Sequence, residues 1–131
     1  MSKKYEHCIV SKPKIIDEFE AHVPGKYQIM MDSQLVPEAD FFVAGGIHHK
    51  IYQAEPISYK HSHDESEVYL YISKKGDAEV EVELEDETYR LTTPCAVYVP
   101  KGVKHTYRYI RIDGPLTVVA IVRNGEYHTH K

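Results

Sequence analysis

The sequence contains no tryptophan and only two cysteines among its 131 residues. Cys8 and Cys95 lack the dense, regular spacing of a disulfide-stapled small domain, so both are expected as reduced thiols. Cys95 opens an apolar run and reads as a small core residue. Basic charge is not in excess: 16 Lys and Arg stand against 20 Asp and Glu, for a formal net charge of -4, and no basic cluster carries interleaved aromatics. That argues against nucleic acid as a partner. Long hydrophobic runs are missing too. The longest, Leu116 to Val122, is far too short to span a bilayer, and no apolar stretch follows the first residues as in a signal peptide. The expectation is a cytoplasmic protein without a membrane or nucleic-acid partner. Repeats, low-complexity segments and linkers are also absent, and the length fits one domain with a real core.

What is abundant is tyrosine, at 11 residues, and alternation. From Ala78 to Glu85 the even positions are apolar and the odd ones are all Glu, the mark of a strand with one face buried. Asp86-Glu87 turns the chain and Thr88–Leu91 returns, which predicts a hairpin. The Glu row reads as a solvated face that discourages edge association. Leu116 to Val122 predicts a fully buried last strand. Phe41–Ala44 is apolar on both parities, which predicts burial on both sides or a place at an interface. Gly45-Gly46 allows a bulge or a close approach. The strand is expected to resume over Ile47–Tyr52, where His48 and His49 have opposite parity, so at most one faces inward. Near the N-terminus, Ile15, Ile16, Phe19 and Val23 follow Ser11 at roughly helical spacing, which predicts one or two helical turns ended by Pro24-Gly25. Tyr27–Met31 reads as a short strand. The regular strand-turn spacing predicts an all-β, antiparallel sandwich or barrel.

One stretch carries chemistry: His61-Ser62-His63-Asp64-Glu65-Ser66-Glu67. On a strand, alternation would put His61 and His63 on one face, with Tyr59 upstream and Glu67, Tyr69 and Tyr71 downstream. Pro100 and Gly102 form a turn after the apolar run Ala96–Val99, and His105 opens the next strand, sharing parity with Tyr107, Tyr109 and Arg111. Three imidazole nitrogens and a carboxylate suit a divalent first-row metal, and leave open positions if it is octahedral. Asp64 and Glu65 read as solvated loop acids beside this set. A second H-x-H, His128 and His130, lies at the terminus, where disorder is expected.

The composite H-x-H-x3-E followed by P-x-G-x2-H resembles the two motifs of the cupin superfamily, over Ile57 to Arg111. The family's usual first-motif Gly is replaced near Glu55, its closing Gly comes late at Gly76, and Tyr109 stands where an Asn is common. The resemblance implies a jelly-roll barrel with a single cupin domain over 1–131: a core of about 41–123, an N-terminal arm of 1–25 and a flexible C-terminal tail of 124–131. It implies that His61, His63, Glu67 and His105 hold one divalent metal per chain, Mn, Fe, Co, Ni, Cu or Zn. Tyr59, Tyr69, Tyr71 and Tyr107 are the expected wall of a substrate pocket. The expected function is a metal-dependent enzyme, an isomerase, lyase, decarboxylase or dioxygenase, on a small polar or anionic molecule. The alternative is a non-catalytic, small-molecule or metal-sensing protein. A homodimer is expected from the resemblance alone.

Overall fold

Alternation becomes architecture in the computed structural model, which describes residues 3–22 and 25–131. A 3-10 turn at Glu6–Cys8 leads into β1 (Lys14–Ile16), β2 (Tyr27–Met31), β3 (Phe42–His48), β4 (Glu67–Ile72), β5 (Ala78–Leu84), β6 (Glu87–Thr92), β7 (Cys95–Val99), β8 (His105–Ile112) and β9 (Leu116–Val122). All pairings between these strands are antiparallel, in a six-stranded sheet ordered β1-β2-β3-β9-β4-β7 and a three-stranded sheet ordered β6-β5-β8.

The inward faces of the two sheets share one core. Ala78, Val80 and Val82 of β5 and Tyr107 of β8 pack with Tyr69 and Tyr71 of β4, Val97 and Val99 of β7, and Leu116 and Val118 of β9. Burying each of these valines contributes about 1.5–3 kcal/mol. Cys95 packs against the same cluster as a free thiol, in keeping with a core role. A smaller cluster of Ile29, Phe42 and Val122 fills the far end of the larger sheet, with Phe19, Leu35 and Tyr127 against it.

Several local expectations are corrected. Ile15 and Ile16 do not begin a helix. They lie in β1, paired with β2, and among the described residues before β1 the helical geometry is the single 3-10 turn. Two adjacent β-branched residues after Pro13 favour extended backbone, and a one- or two-turn helix has too few hydrogen bonds to repay its nucleation. Lys14 then pins the strand by donating to Asp32 Oδ2 at 2.7 Å and Gln34 Oε1 at 2.6 Å. Val23 and Pro24 lie outside the described residues. Phe42 is buried while Phe41 is 45% exposed and Val43 and Ala44 are both half-buried, so that segment is not buried on both sides. In β9 only Leu116, Val118 and Val122 are fully buried. β3 ends at His48 and does not run on to Tyr52.

The acidic row also has another meaning. β5 is the central strand of its sheet, not an edge. Its outward carboxylates are met from both neighbours: Arg108 of β8 donates to Glu81 at 2.9 Å, and Arg90 of β6 lies 3.3 Å from both Glu79 and Glu81. Gly45 is a site of close approach, as its sequence context suggested. A Cβ there would sit 2.7 Å from the Val118 carbonyl oxygen on β9. Among the described residues, no helix is long and apolar enough to cross a membrane.

Candidate metal centre

The H-x-H segment is not a strand, so alternation is not what gathers its histidines. Two isolated bridges do. His61 exchanges backbone hydrogen bonds with His105 at 3.2 and 2.8 Å, and Ser62 exchanges them with His130 at 2.7 and 2.8 Å. The turn expected at Pro100–Gly102 closes against this segment through Gly102 N–H to the His63 carbonyl at 2.8 Å. β4 begins at Glu67, which sends its carboxylate to the same point. His61, His63, Glu67 and His105 are all at most 3% exposed.

Each imidazole is oriented by a carbonyl. Nδ1 of His61 donates to Tyr59 O at 2.9 Å, Nδ1 of His63 to His128 O at 2.6 Å, and Nδ1 of His105 to Val103 O at 2.9 Å. A carbonyl only accepts, so a proton sits on Nδ1 and each ring, when neutral, turns an Nε2 lone pair inward. The three rings offer ligand atoms within 4.8 Å of one another, a spacing that can hold one metal ion. Glu67 Oε1 lies 2.8 Å from Nε2 of His105 and 3.4 Å from Nε2 of His63. Those three atoms, with the Tyr71 hydroxyl, are the buried side-chain N and O atoms that lack a hydrogen-bond partner among the described residues. Acceptor thus faces acceptor in a dry site, which is unfavourable unless a positive charge lies between them.

The titration of the metal-free cluster follows. Burial pulls the His61 pKa from 6.5 down to about 4, against the opposing pull of the Tyr59 carbonyl. Burial alone would raise Glu67, but a proton on Nε2 of His105 or His63, hydrogen-bonded to its carboxylate, outweighs burial and holds it at about 2. Burial alone would lower His63, and the Glu67 carboxylate beside it outweighs this and raises it.

No family model and no curated protein matches the chain. Solved structures do resemble it. A cupin 2 domain-containing protein from Halorhodospira halophila aligns with a TM-score of 0.61 and 16% identity, over 93% of this chain and 84% of that one. The Fe(II) form of HppE aligns with a TM-score of 0.59 and 14% identity, over 87% of this chain and 58% of that one. A point mutant of Bacillus subtilis oxalate decarboxylase aligns at 0.58 and 20%, over 91% of this chain and 29% of that one. The chain has a cupin fold. It spans little more than half of HppE and less than a third of the decarboxylase.

Beside the cluster the cupin fold encloses a half-open cavity of about 340 Å³, and Glu67 is part of its wall. Tyr69 and Tyr107 line it, as the parity of their strands predicts. Tyr59 and Tyr71 do not. Tyr59 lies in the irregular stretch before the first bridge, where parity has no meaning. Its ring is 45% exposed, with Lys131 Nζ 4.7 Å from the centroid. Tyr71, two residues beyond Tyr69, is wholly buried in the core, its ring 5.3 Å from that of Tyr107. His48 lines the cavity, with the Tyr109 hydroxyl 3.4 Å from its Nε2, and His49 does not, so one of the pair faces inward. Asp64 and Glu65 are exposed, and Asp64 Oδ1 accepts from His130 Nε2 at 3.0 Å.

Two wall residues were invisible in the sequence. His22 stacks on Phe19 at 4.2 Å and brings its ring 5.5 Å from that of His61. Tyr127 puts its hydroxyl 3.3 Å from His61 Nε2 and its ring 5.0 Å from that of His63. Neither sits in a motif or on a strand. The tail that carries Tyr127 was expected to be flexible, and the structure lays it along the cluster through the Ser62–His130 bridge.

Proposed function

We propose that this cupin binds one divalent first-row transition metal through Nε2 of His61, His63 and His105 and the Glu67 carboxylate, and acts as a metal-dependent enzyme on a small polar or anionic molecule. The observation that carries this reading is the convergence of acceptors: three Nε2 lone pairs, each oriented by a carbonyl on its far side, around a buried carboxylate oxygen, with those of His63 and His105 and Glu67 Oε1 itself unpartnered. A proton satisfies one such pair at a time, whereas a divalent ion satisfies all four donors at once. Carbonyl partners of this kind fix the tautomer of ligating histidines.

The bound ion would supply Lewis-acid chemistry or, if redox-active, oxygen chemistry. Three neutral imidazoles and one carboxylate leave the ion with a net positive charge, which favours an oxyanion or a chelating oxygen donor. Glu67 joins the cluster to the cavity, so a molecule in the cavity would approach a bound ion from that side. Tyr69 and Tyr107 form one wall of that cavity, their rings 5.0 Å apart. His22 donates Nδ1–H to Glu20 O at 2.7 Å and is held neutral by burial, so its Nε2 can accept a proton from a bound molecule. Iron named in the structure of HppE, and the small dianion named for oxalate decarboxylase, support the metal class and the size of molecule.

Elemental analysis of purified protein tests the reading. The expected result is roughly one equivalent of Fe, Mn or a related ion per chain, removable by chelation and absent from His63→Ala with circular dichroism unchanged. Protein that takes up no metal under any loading condition would reject it.

A further inference from the structure

The last residues are stitched to the metal centre at several points. Ser62 and His130 exchange their two backbone hydrogen bonds, and the His128 carbonyl accepts from His63 Nδ1. Thr129 donates to Glu20 Oε1 from its amide at 3.2 Å and its hydroxyl at 2.6 Å. These contacts hold Tyr127 in one place. Its ring packs on Phe19 and Phe42 at 4.4 and 4.8 Å, and its side chain belongs to the cavity wall. Its hydroxyl donates to His61 Nε2, the hydrogen-bond partner it has among the described residues.

That partner is the lone pair the cluster offers to a metal. A buried hydroxyl that loses its acceptor must find another, because an unsatisfied donor in a dry site is costly. Resting on the metal-binding reading, we propose that Tyr127 is the specificity-determining donor of this site: when the ion takes Nε2 of His61, the hydroxyl donates to an oxygen of the molecule bound beside it. The ligand class this selects is an oxygen-donor anion, a carboxylate, enolate or hydroxamate, over a neutral ligand of the same shape. The tail therefore serves as a strap with two jobs. The His128 carbonyl orients a metal-binding imidazole, and Tyr127 reads the ligand.

Tyr127→Phe keeps the ring and its packing and removes only the donor. Wild-type and variant proteins would be loaded with Co(II) and titrated with acetohydroxamate, followed by the visible absorption of the ion. The expected result is Co(II) affinity within about twofold and hydroxamate binding weaker by about tenfold in the variant, the usual size of one lost hydrogen bond. Equal hydroxamate affinities, or no hydroxamate binding by either protein, would overturn the assignment of Tyr127 while leaving the metal site standing. A large fall in Co(II) affinity in the variant would also overturn it, by making Tyr127 a ligand. Failure of the wild type to bind Co(II) would remove the metal-binding reading and this inference together.

Discussion

Every imidazole of the cluster commits its Nδ1 proton to a carbonyl, and that fixes both the direction of the Nε2 lone pairs and the pH behaviour of the metal-free protein. His61 is neutral in the fold, with a pKa of about 4 against 6.5 for the free side chain. Its folded pKa lies below its unfolded one, so the unfolded chain takes up the proton first. The stability it contributes is complete above about pH 6.5 and is lost as the pH falls toward 4. Glu67, held at about 2, adds a further loss below its ordinary value of 4.5. His63 acts oppositely: its raised pKa contributes stability that is present below 6.5 and lost as the pH rises through the folded value. Urea unfolding of metal-free protein at pH 7 and pH 5 should therefore show a fall in stability that is smaller in His61→Gln than in the wild type. Equal falls would contradict the burial of a neutral imidazole at this position.

At the scale of elements, the β3–β9 ladder depends on Gly45. Its missing Cβ would meet the Val118 carbonyl at 2.7 Å and Val119 Cα at 3.3 Å, both backbone atoms of the partner strand. Backbone cannot rotate away as a side chain can. Gly45→Ala should cost about 1–3 kcal/mol, read as a lower urea midpoint with an unchanged slope. Gly46, one residue on, has open space around its Cβ position, so Gly46→Ala is the matched control and should change stability little. The contrast between two adjacent glycines separates close strand approach from a general loss of chain flexibility.

At the scale of the whole molecule, the cluster joins segments that are far apart in the chain. It ties the 61–63 segment to the start of β4, to the start of β8 and, through His128, to the C-terminal tail. A ligand that binds only where all of these meet must stabilise the folded state by mass action. Metal at a hundred times its dissociation constant should add roughly 2.7 kcal/mol, a rise in Tm on the order of 10 °C for a domain of this size. Thermal melts with and without chelator check this, and the rise should vanish in His105→Ala. A melt indifferent to metal in the wild type would count against a site that bridges these segments.

The sequence alone determined the strands with strong alternation and the identity of the four clustered residues. Ala78–Leu84 declares its buried face by period two, and His61, His63, Glu67 and His105 stand out because few other uses require that combination at that spacing. It could not decide matters that depend on long-range packing. Ile15 and Ile16 share helical spacing with Phe19 while their β-branching favours a strand, and the pairing with β2 settles the matter. Tyr59 and Tyr71 share the parity of Tyr69, but parity holds only while a strand lasts and says nothing of how deep a ring lies in the core. Tyr127 and His22 reach the cluster from outside both motifs, because bridges and ring packing place them, not local propensity. Tertiary structure alone decided that the tail's carbonyl orients His63 and that acceptors, not donors, converge on the centre. Direction at this scale comes from which backbone atoms the fold brings behind each ring.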